Sequence, residues 1–423
     1  MLAIGAARAL TAAPAAAQAV PAAPSGEPAP APPIIRPYAT IKPTIIAAGK
    51  PVESFSQPNA SAVTAAGNPV LATLPGTPEG TLNEEASLTF QVAQSRLGFW
   101  FAEKSPVRGQ FELDFIDFTK ASPTVGALPR LRIAKVEWAL SDSTTLIAGQ
   151  DWDLFQPVNP YTVDIVAVAF QAGNTAFMRQ QAKLIYKTES LELGAAIGLQ
   201  GINNAAKAAI PEYARIPSFA ARAALIVGGT GRIGVSAIAT SWRFAPDLAA
   251  ERKALAGAVG LYGDVTPVEG FNLRFELYGG QNLANMGSLS LGNGNPVNDI
   301  KEIGGFLSGK YSFTPTHALY FLAGHARVLN DEDVVPSYGY GAIAMGAPPP
   351  AESAATLTGG AGPGMTENST GRLGYEYRYD KTVGVLVEGF AFKSKHVLDP
   401  TYDSDIDGDV TSFGAELGIL FTL

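Results

Sequence analysis

The chain has 423 residues, 16% of them charged, with a formal net charge of −8, 45 glycines, 31 prolines, three histidines and no cysteine. Disulfides and thiolate metal sites are excluded, a histidine metal centre has little material, and an acidic chain without a basic run lacks the clustered cations that nucleic acid requires. Outside the extreme N-terminus no run of about 18 uninterrupted apolar residues occurs, which argues against α-helical membrane spans and leaves spans made of strands open.

Residues 1–20, MLAIGAARALTAAPAAAQAV, join an Ala-rich apolar run to the cleavage-type tripeptide Ala17-Gln18-Ala19, and an export leader is expected there. An unstructured Ala/Pro-rich leader is the alternative. Residues 21–34 have too little apolar surface to pack and are expected to form a flexible spacer. From Ile35 to Leu423 the chain reads as one domain of about sixteen strands, each roughly 10 to 15 residues long. They are expected at 35–48, 87–101, 108–118, 130–140, 145–155, 176–187, 191–202, 219–227, 232–244, 254–262, 271–283, 301–312, 317–329, 372–379, 383–395 and 410–423. The connections alternate. Short turn sequences such as Ser141-Asp142-Ser143, Thr188-Glu189-Ser190 and Thr314-Pro315-Thr316 follow one strand, and long segments such as 156–175 and 330–370 follow the next.

Within the strands the side chains obey a period of two. Gln110, Glu112 and Asp114 oppose Phe111, Leu113 and Phe115. Arg179, Gln181 and Lys183 oppose Met178, Ala182 and Leu184. Asn272, Arg274, Glu276 and Tyr278 oppose Phe271, Leu273, Phe275 and Leu277, and Arg372, Glu376 and Arg378 oppose Leu373, Tyr375, Tyr377 and Tyr379. A charged face and a ring-bearing face need two solvents, water inside and lipid outside. An open sheet edge in hydrocarbon leaves backbone groups unpaired at several kcal/mol each, so such strands must close on themselves. The reading is an all-β, antiparallel transmembrane barrel with short periplasmic turns and long extracellular loops. Phase slips near Ala93-Gln94 and Ala134-Lys135 read as β-bulges. Residues 254–262 are small and apolar on both faces, which suits either a contact between protomers or a crowded wall.

The segment 156–175, QPVNPYTVDIVAVAFQAGNT, is apolar at its centre although it lies in a loop, so it is expected to fold inward and narrow the lumen. Asp164 is the charge it carries. Opposite it should stand Arg96, Arg130, Arg132, Arg179 and Lys183, interleaved with Glu112, Asp114 and Glu137. Glu137 aside, these together with Arg274, Glu276, Arg372 and Arg378 are the candidate pore-lining residues. Guanidinium groups hold carboxylates or phosphates bidentately, but the mixture of signs leaves selectivity open, and mutual pairing of the charges is the alternative reading. Asp403, Asp405 and Asp407 begin a calcium-loop pattern whose twelfth position is Gly414 instead of Glu, so a solvated acidic tip is the favoured reading over a weak metal site. No cofactor and no enzymatic constellation is expected.

The motifs Gln94-Ser95-Arg96-Leu97-Gly98-Phe99, Gly109-Gln110-Phe111-Glu112-Leu113-Asp114-Phe115, Arg130-Leu131-Arg132 and Ala148-Gly149-Gln150-Asp151-Trp152 resemble the DcaP-like porins of Gram-negative outer membranes. The resemblance implies a homotrimer of barrels in the outer membrane, in contact with the lipid bilayer and lipopolysaccharide, that passes small hydrophilic solutes, anions such as carboxylates among them. The reading from another class is a surface receptor or structural anchor whose loops plug the barrel.

Overall fold

The computed structural model describes residues 34–49, 86–116, 129–164, 169, 171–175, 178–199, 217–244, 252–283, 291, 298–334, 365–396 and 409–423. The leader 1–20, the spacer up to residue 33 and the carboxylates Asp403, Asp405 and Asp407 lie outside the described residues.

Eighteen strand segments form one antiparallel sheet: β1 Ile35–Ile41, β2 Thr44–Ala48, β3 Ser87–Gln91, β4 Arg96–Phe101, β5 Val107–Asp114, β6 Arg130–Ala139, β7 Thr144–Trp152, β8 Met178–Lys187, β9 Leu191–Gly198, β10 Ser218–Val227, β11 Gly231–Phe244, β12 Arg252–Val268, β13 Phe271–Gln281, β14 Lys301–Ser312, β15 His317–Val328, β16 Met365–Arg378, β17 Val383–His396 and β18 Asp409–Thr422. The first wall strand is β1 and β2, broken at Lys42-Pro43, and the second is β3 and β4, so the sheet is a barrel of sixteen strands. It closes where β18 pairs with both halves of the first strand, from Thr40↔Thr422 to Gly414↔Ala48. Among the described strands no sheet edge is left.

Around the wall most outward residues are apolar, among them Phe90, Leu97, Trp138, Leu184, Val235, Val259, Leu307, Leu373 and Phe413, all exposed. The alternate positions are buried and rich in charge, including Glu112, Lys183, Glu276, Arg372 and Glu416. An apolar exterior around a polar interior inverts the soluble pattern and fits a barrel with lipid outside.

Between β3 and β4 the chain gains one residue against the first strand, since Thr44 pairs with Gln91 but Thr40 pairs with Arg96. This bulge spans Val92 to Ser95 and contains the expected slip at Ala93-Gln94. The second slip is displaced from its expected place at Ala134-Lys135. Glu112 pairs with Ile133 and Leu113 with Leu131, so the extra residue sits at Arg132. The bulge turns Arg132 and Ile133 inward in succession, and both are buried.

Strand ends also differ from the sequence pattern. β12 runs on to Val268 past Pro267, where the ladder shifts register between Val265 and Val268. A proline is tolerated there because a bulge asks it for no ladder hydrogen bond. β16 begins at Met365, seven positions before the expected start, because Thr366 to Thr370 is polar on both faces and carries no alternation to read. β13 stops at Gln281, where Asn282 adopts φ +54°.

Many wall glycines face an aromatic ring on the next strand. Tyr38 pairs with Gly98, Tyr320 with Gly374 and Phe390 with Gly414, and a Cβ on these glycines would stand 2.3, 2.1 and 2.3 Å from the partner's ring carbon. Each ring lies flat across its glycine, which keeps the inner wall thin and covers exposed backbone. Gly374→Ala is expected to displace the Tyr320 ring and destabilise the barrel by about 1–3 kcal/mol, the usual range for overpacking; a lower melting midpoint in detergent, followed by loss of the compact barrel on semi-native gels, checks it.

Candidate functional site

After Trp152 the chain leaves β7 and turns into the barrel. The residues that follow are apolar at intervals, and each apolar group finds small or apolar partners on the inner wall. Leu154 and Phe155 pack with Ala220, Ile238, Ala256, Ala258 and Tyr278 of β10 to β13. Val158 packs with Ala224, Tyr262, Phe306 and Leu322, and Tyr161 and Val163 with Tyr320, Leu386 and Leu420. The loop therefore runs along the wall from β10 to β18. Residues 165–168 and 170 lie outside the described residues.

This contact explains the small residues of 254–262. On their inward side Ala256 and Ala258 form the seat of Leu154 and Phe155, which supports the crowded-wall alternative for that face.

A chain inside the barrel must satisfy its backbone donors without strand partners. Four wall strands supply acceptors in turn. The N–H of Gln156 donates to Ser236 Oγ at 3.3 Å, that of Val158 to Glu276 Oε1 at 2.6 Å, that of Tyr161 to Ser308 Oγ at 2.9 Å, and that of Val163 to Glu388 Oε2 at 3.0 Å. Asn174 ties the returning leg to the outgoing one, since its Nδ2 donates to Val158 O at 3.1 Å and Glu276 Oε2 at 3.0 Å. The returning leg lies directly on wall backbone. A Cβ on Gly324 would meet Ala172 O at 2.2 Å, so only glycine fits.

The outgoing leg ends in a buried cluster of charges. Arg372 Nη1 donates to Glu388 at 2.8 Å and to Asp164 at 3.2 Å, while Lys42 Nζ lies 4.0 Å from Asp164, 3.6 Å from Glu416 and 2.7 Å from Gln94 Oε1. Gln94 also donates to Asp164. Lys42 sits at the break in the first wall strand and Glu416 on β18, so the loop is fastened at the seam where the barrel closes. Sequence reasoning selected Asp164 and Arg372 but missed Lys42, Glu388 and Glu416. All three fall on inward positions of the two-residue period, which is the signal that points to them.

The opposite arc, β4 to β8, carries a ladder of paired charges. Asp114 accepts from Arg130 Nε at 2.8 Å, and Arg132 bonds Glu112 while lying 3.7 Å from Asp114. Arg96 stands opposite Asp114 in register, and Glu112 also accepts from Tyr38 Oη at 3.0 Å. Further along, Lys135 bridges Glu137 at 2.9 Å and Asp151 at 3.3 Å, Lys183 reaches Asp151 at 2.6 Å, and Arg179 reaches Asp153 at 3.0 Å. Along this arc the named cations outnumber the carboxylates. Arg274 and Glu276 lie on the loop's own side instead. Arg274 donates to Asn159 O at 3.1 Å and its guanidinium covers the Tyr161 ring at 4.2 Å. Arg378 pairs with Glu376 near a short turn, and Glu376 also binds Lys310, whose ammonium stands 5.5 Å from the Tyr161 ring that Arg274 covers. The structure thus divides the sequence candidates into a charged arc and a set on the loop's side, to which Arg378 connects through Glu376 and Lys310.

No protein-family model matches the chain, and no curated protein matches it in sequence. Solved structures do match in shape. The outer membrane channel DcaP of Acinetobacter baumannii is similar at 11% identity, with 92% of this chain and 97% of that chain covered and a TM-score of 0.64. An anion-selective porin from Comamonas acidovorans is similar at 10% identity, covering 92% and 99% of the two chains with a TM-score of 0.54. Pseudomonas putida OprB is similar at 11% identity over 91% and 94%, with a TM-score of 0.52. At such identities the likeness is one of fold, and the chain has the DcaP-like porin fold of outer-membrane barrels.

Proposed function

We propose that the protein is an outer-membrane porin, a passive diffusion channel for small hydrophilic solutes with a preference for anions such as carboxylates, working as a homotrimer. The observation that carries this reading is the inward loop. It is fixed to β10–β18 and stands across the lumen from a charged arc, so solute passes between a rigid apolar-backed loop and a row of guanidinium and ammonium groups. Because most of those cations are paired, their excess and not their number sets the sign of selectivity. The proposed pore-lining set is Arg96, Glu112, Asp114, Arg130, Arg132, Arg179 and Lys183 from the arc with Asp164 from the loop. Charge transfer through such a wall needs no chemistry beyond exchange of ion-pair partners, since an entering carboxylate replaces a wall carboxylate at a guanidinium fork.

The first test is single-channel current from purified protein in a planar bilayer under a salt gradient. Stepwise closures in groups of three and a reversal potential on the anion side are expected; a folded but silent barrel transfers the reading to a receptor or anchor. A second test acts on the loop. Arg372→Ala leaves Asp164 and Glu388 buried without their guanidinium partner, a change that costs about 3–5 kcal/mol for buried pairs. Noisier, larger openings together with a lower melting midpoint are expected, whereas unchanged conductance at unchanged stability means the cluster does not hold the loop. A third test replaces Arg130, the arc residue with the more open side chain. Arg130→Gln is expected to move the reversal potential toward cations by several millivolts with a melting midpoint lowered less than by Arg372→Ala, because Arg132 at 3.7 Å still faces the buried Asp114 carboxylate.

A further inference from the structure

Beside the short turns that follow β8 and β10 the inner wall carries a group of polar side chains outside the charged arc, of which Tyr262 also packs its ring against the loop's Val158. Arg222 of β10 and Arg232 of β11 share one carboxylate, Glu192 of β9, at 2.7 and 3.8 Å. Glu192 is buried, whereas the two arginine side chains keep 14% and 27% of their surface open to the lumen. The Arg232 guanidinium stands 6.0 Å from the centre of the Tyr262 ring. Tyr262 is fully buried, and among the described residues neither its hydroxyl nor Arg222 Nε meets a hydrogen-bond partner.

Strand register gives the direction of that ring. Tyr262 is opposite Gly234, Gly234 is opposite Ala224, and Ala224 is opposite Glu192. A Cβ on Gly234 would stand 2.8 Å from Tyr262 Cζ and 2.7 Å from the Ala224 Cβ. Glycine and alanine therefore keep open the path along which the phenol reaches across two strands toward the arginines. On the far side Asp264, opposite Arg232, is taken up by Arg274 at 3.4 Å and by Asn272 Nδ2 at 2.8 Å. What remains is two guanidinium groups and a buried hydroxyl around one carboxylate. A buried donor without an acceptor costs free energy that an incoming lone pair returns.

We propose that Arg222, Arg232 and the Tyr262 hydroxyl form a second anion site, at the short-turn mouth and below the loop, that binds one small oxyanion, either a carboxylate or inorganic phosphate. The guanidinium forks take two oxygens and the phenol donates to one of them, while Glu192 holds both forks in place. Binding itself follows from this geometry, and only the site's place on a transport route rests on the porin reading.

The experiment adds sodium succinate, and in a separate arm sodium phosphate, to each side in turn of a bilayer holding the full-length protein in chloride. Concentration-dependent loss of chloride current from one side is expected, with the half-effect concentration raised about five- to tenfold by Tyr262→Phe and further by Arg232→Gln. Arg36→Gln, at the same mouth but paired with Glu103, is expected to leave it unchanged. The arm with the lower half-effect concentration identifies the oxyanion. Equal half-effect concentrations in wild type and both site variants, with channels still open, overturn the site and leave the porin reading standing. If the wild type passes no current, thermal unfolding in the two anions decides. A midpoint raised in wild type but not in Tyr262→Phe upholds the site while the porin reading falls, and equal shifts, or none in wild type, overturn it.

Discussion

Backbone hydrogen bonding without water is the constraint from which the rest of the structure follows. In hydrocarbon an unpaired N–H or C=O costs several kcal/mol, so a sheet of this composition is stable only when its last strand meets its first. Here that meeting is β18 against β1 and β2, held in one constant register across the Lys42-Pro43 break. Proline has no N–H to pair, and Lys42 turns its buried ammonium inward at the same point, so the interruption in the wall becomes a fixture of the lumen. The same rule governs the loop. Once inside the barrel its N–H groups have no strand neighbour, and the wall answers with Ser236, Glu276, Ser308 and Glu388.

Fold class was legible in the sequence because it depends on two coarse signals, the two-residue period and the alternation of short and long connections. The inward positions of β5, β13, β16 and β18 are those the pattern selected. Boundaries were less legible. The polar start of β16 lies where neither solvent demands a face, and the Arg132 bulge is a decision of backbone geometry that two adjacent side chains report only once both are seen to be buried. Asp164 and Arg372 were legible as inward charges, but their meeting was not. They are 208 positions apart in the chain, and what joins them is the path of the loop. Tyr262 reads as an ordinary wall aromatic until register sets it over Gly234.

Glycine content takes on a meaning here that composition alone does not supply. Gly98, Gly374 and Gly414 sit opposite rings on the inner face, and Gly263 and Gly309 sit opposite Phe275 and Phe321 on the outer one. A barrel wall is a single sheet with no second layer to absorb bulky side chains, so a ring that lies down needs a neighbour without a Cβ. The inner pairs leave lumen volume for the loop, and the outer pairs keep the lipid-facing surface smooth.

The interior is divided by solvent as sharply as the exterior is separated from it. From β10 to β13 the inward residues that meet the loop are Ala220, Ile238, Ala256, Ala258 and Tyr278, which no aqueous lumen would favour on its own. They are stable because Leu154 and Phe155 cover them, and the loop's apolar centre is stable because they are there. On the arc from β4 to β8 the logic reverses: carboxylates and cations alternate across strands and pair, as Lys135, Lys183 and Arg179 do at 2.6 to 3.3 Å. A wall built of pairs is electrostatically soft. Its field at the lumen is the small difference between large opposing terms. Neutralising the arc's carboxylates would leave buried cations without the partners that hold them in position, so the geometry of this wall depends on its keeping both signs.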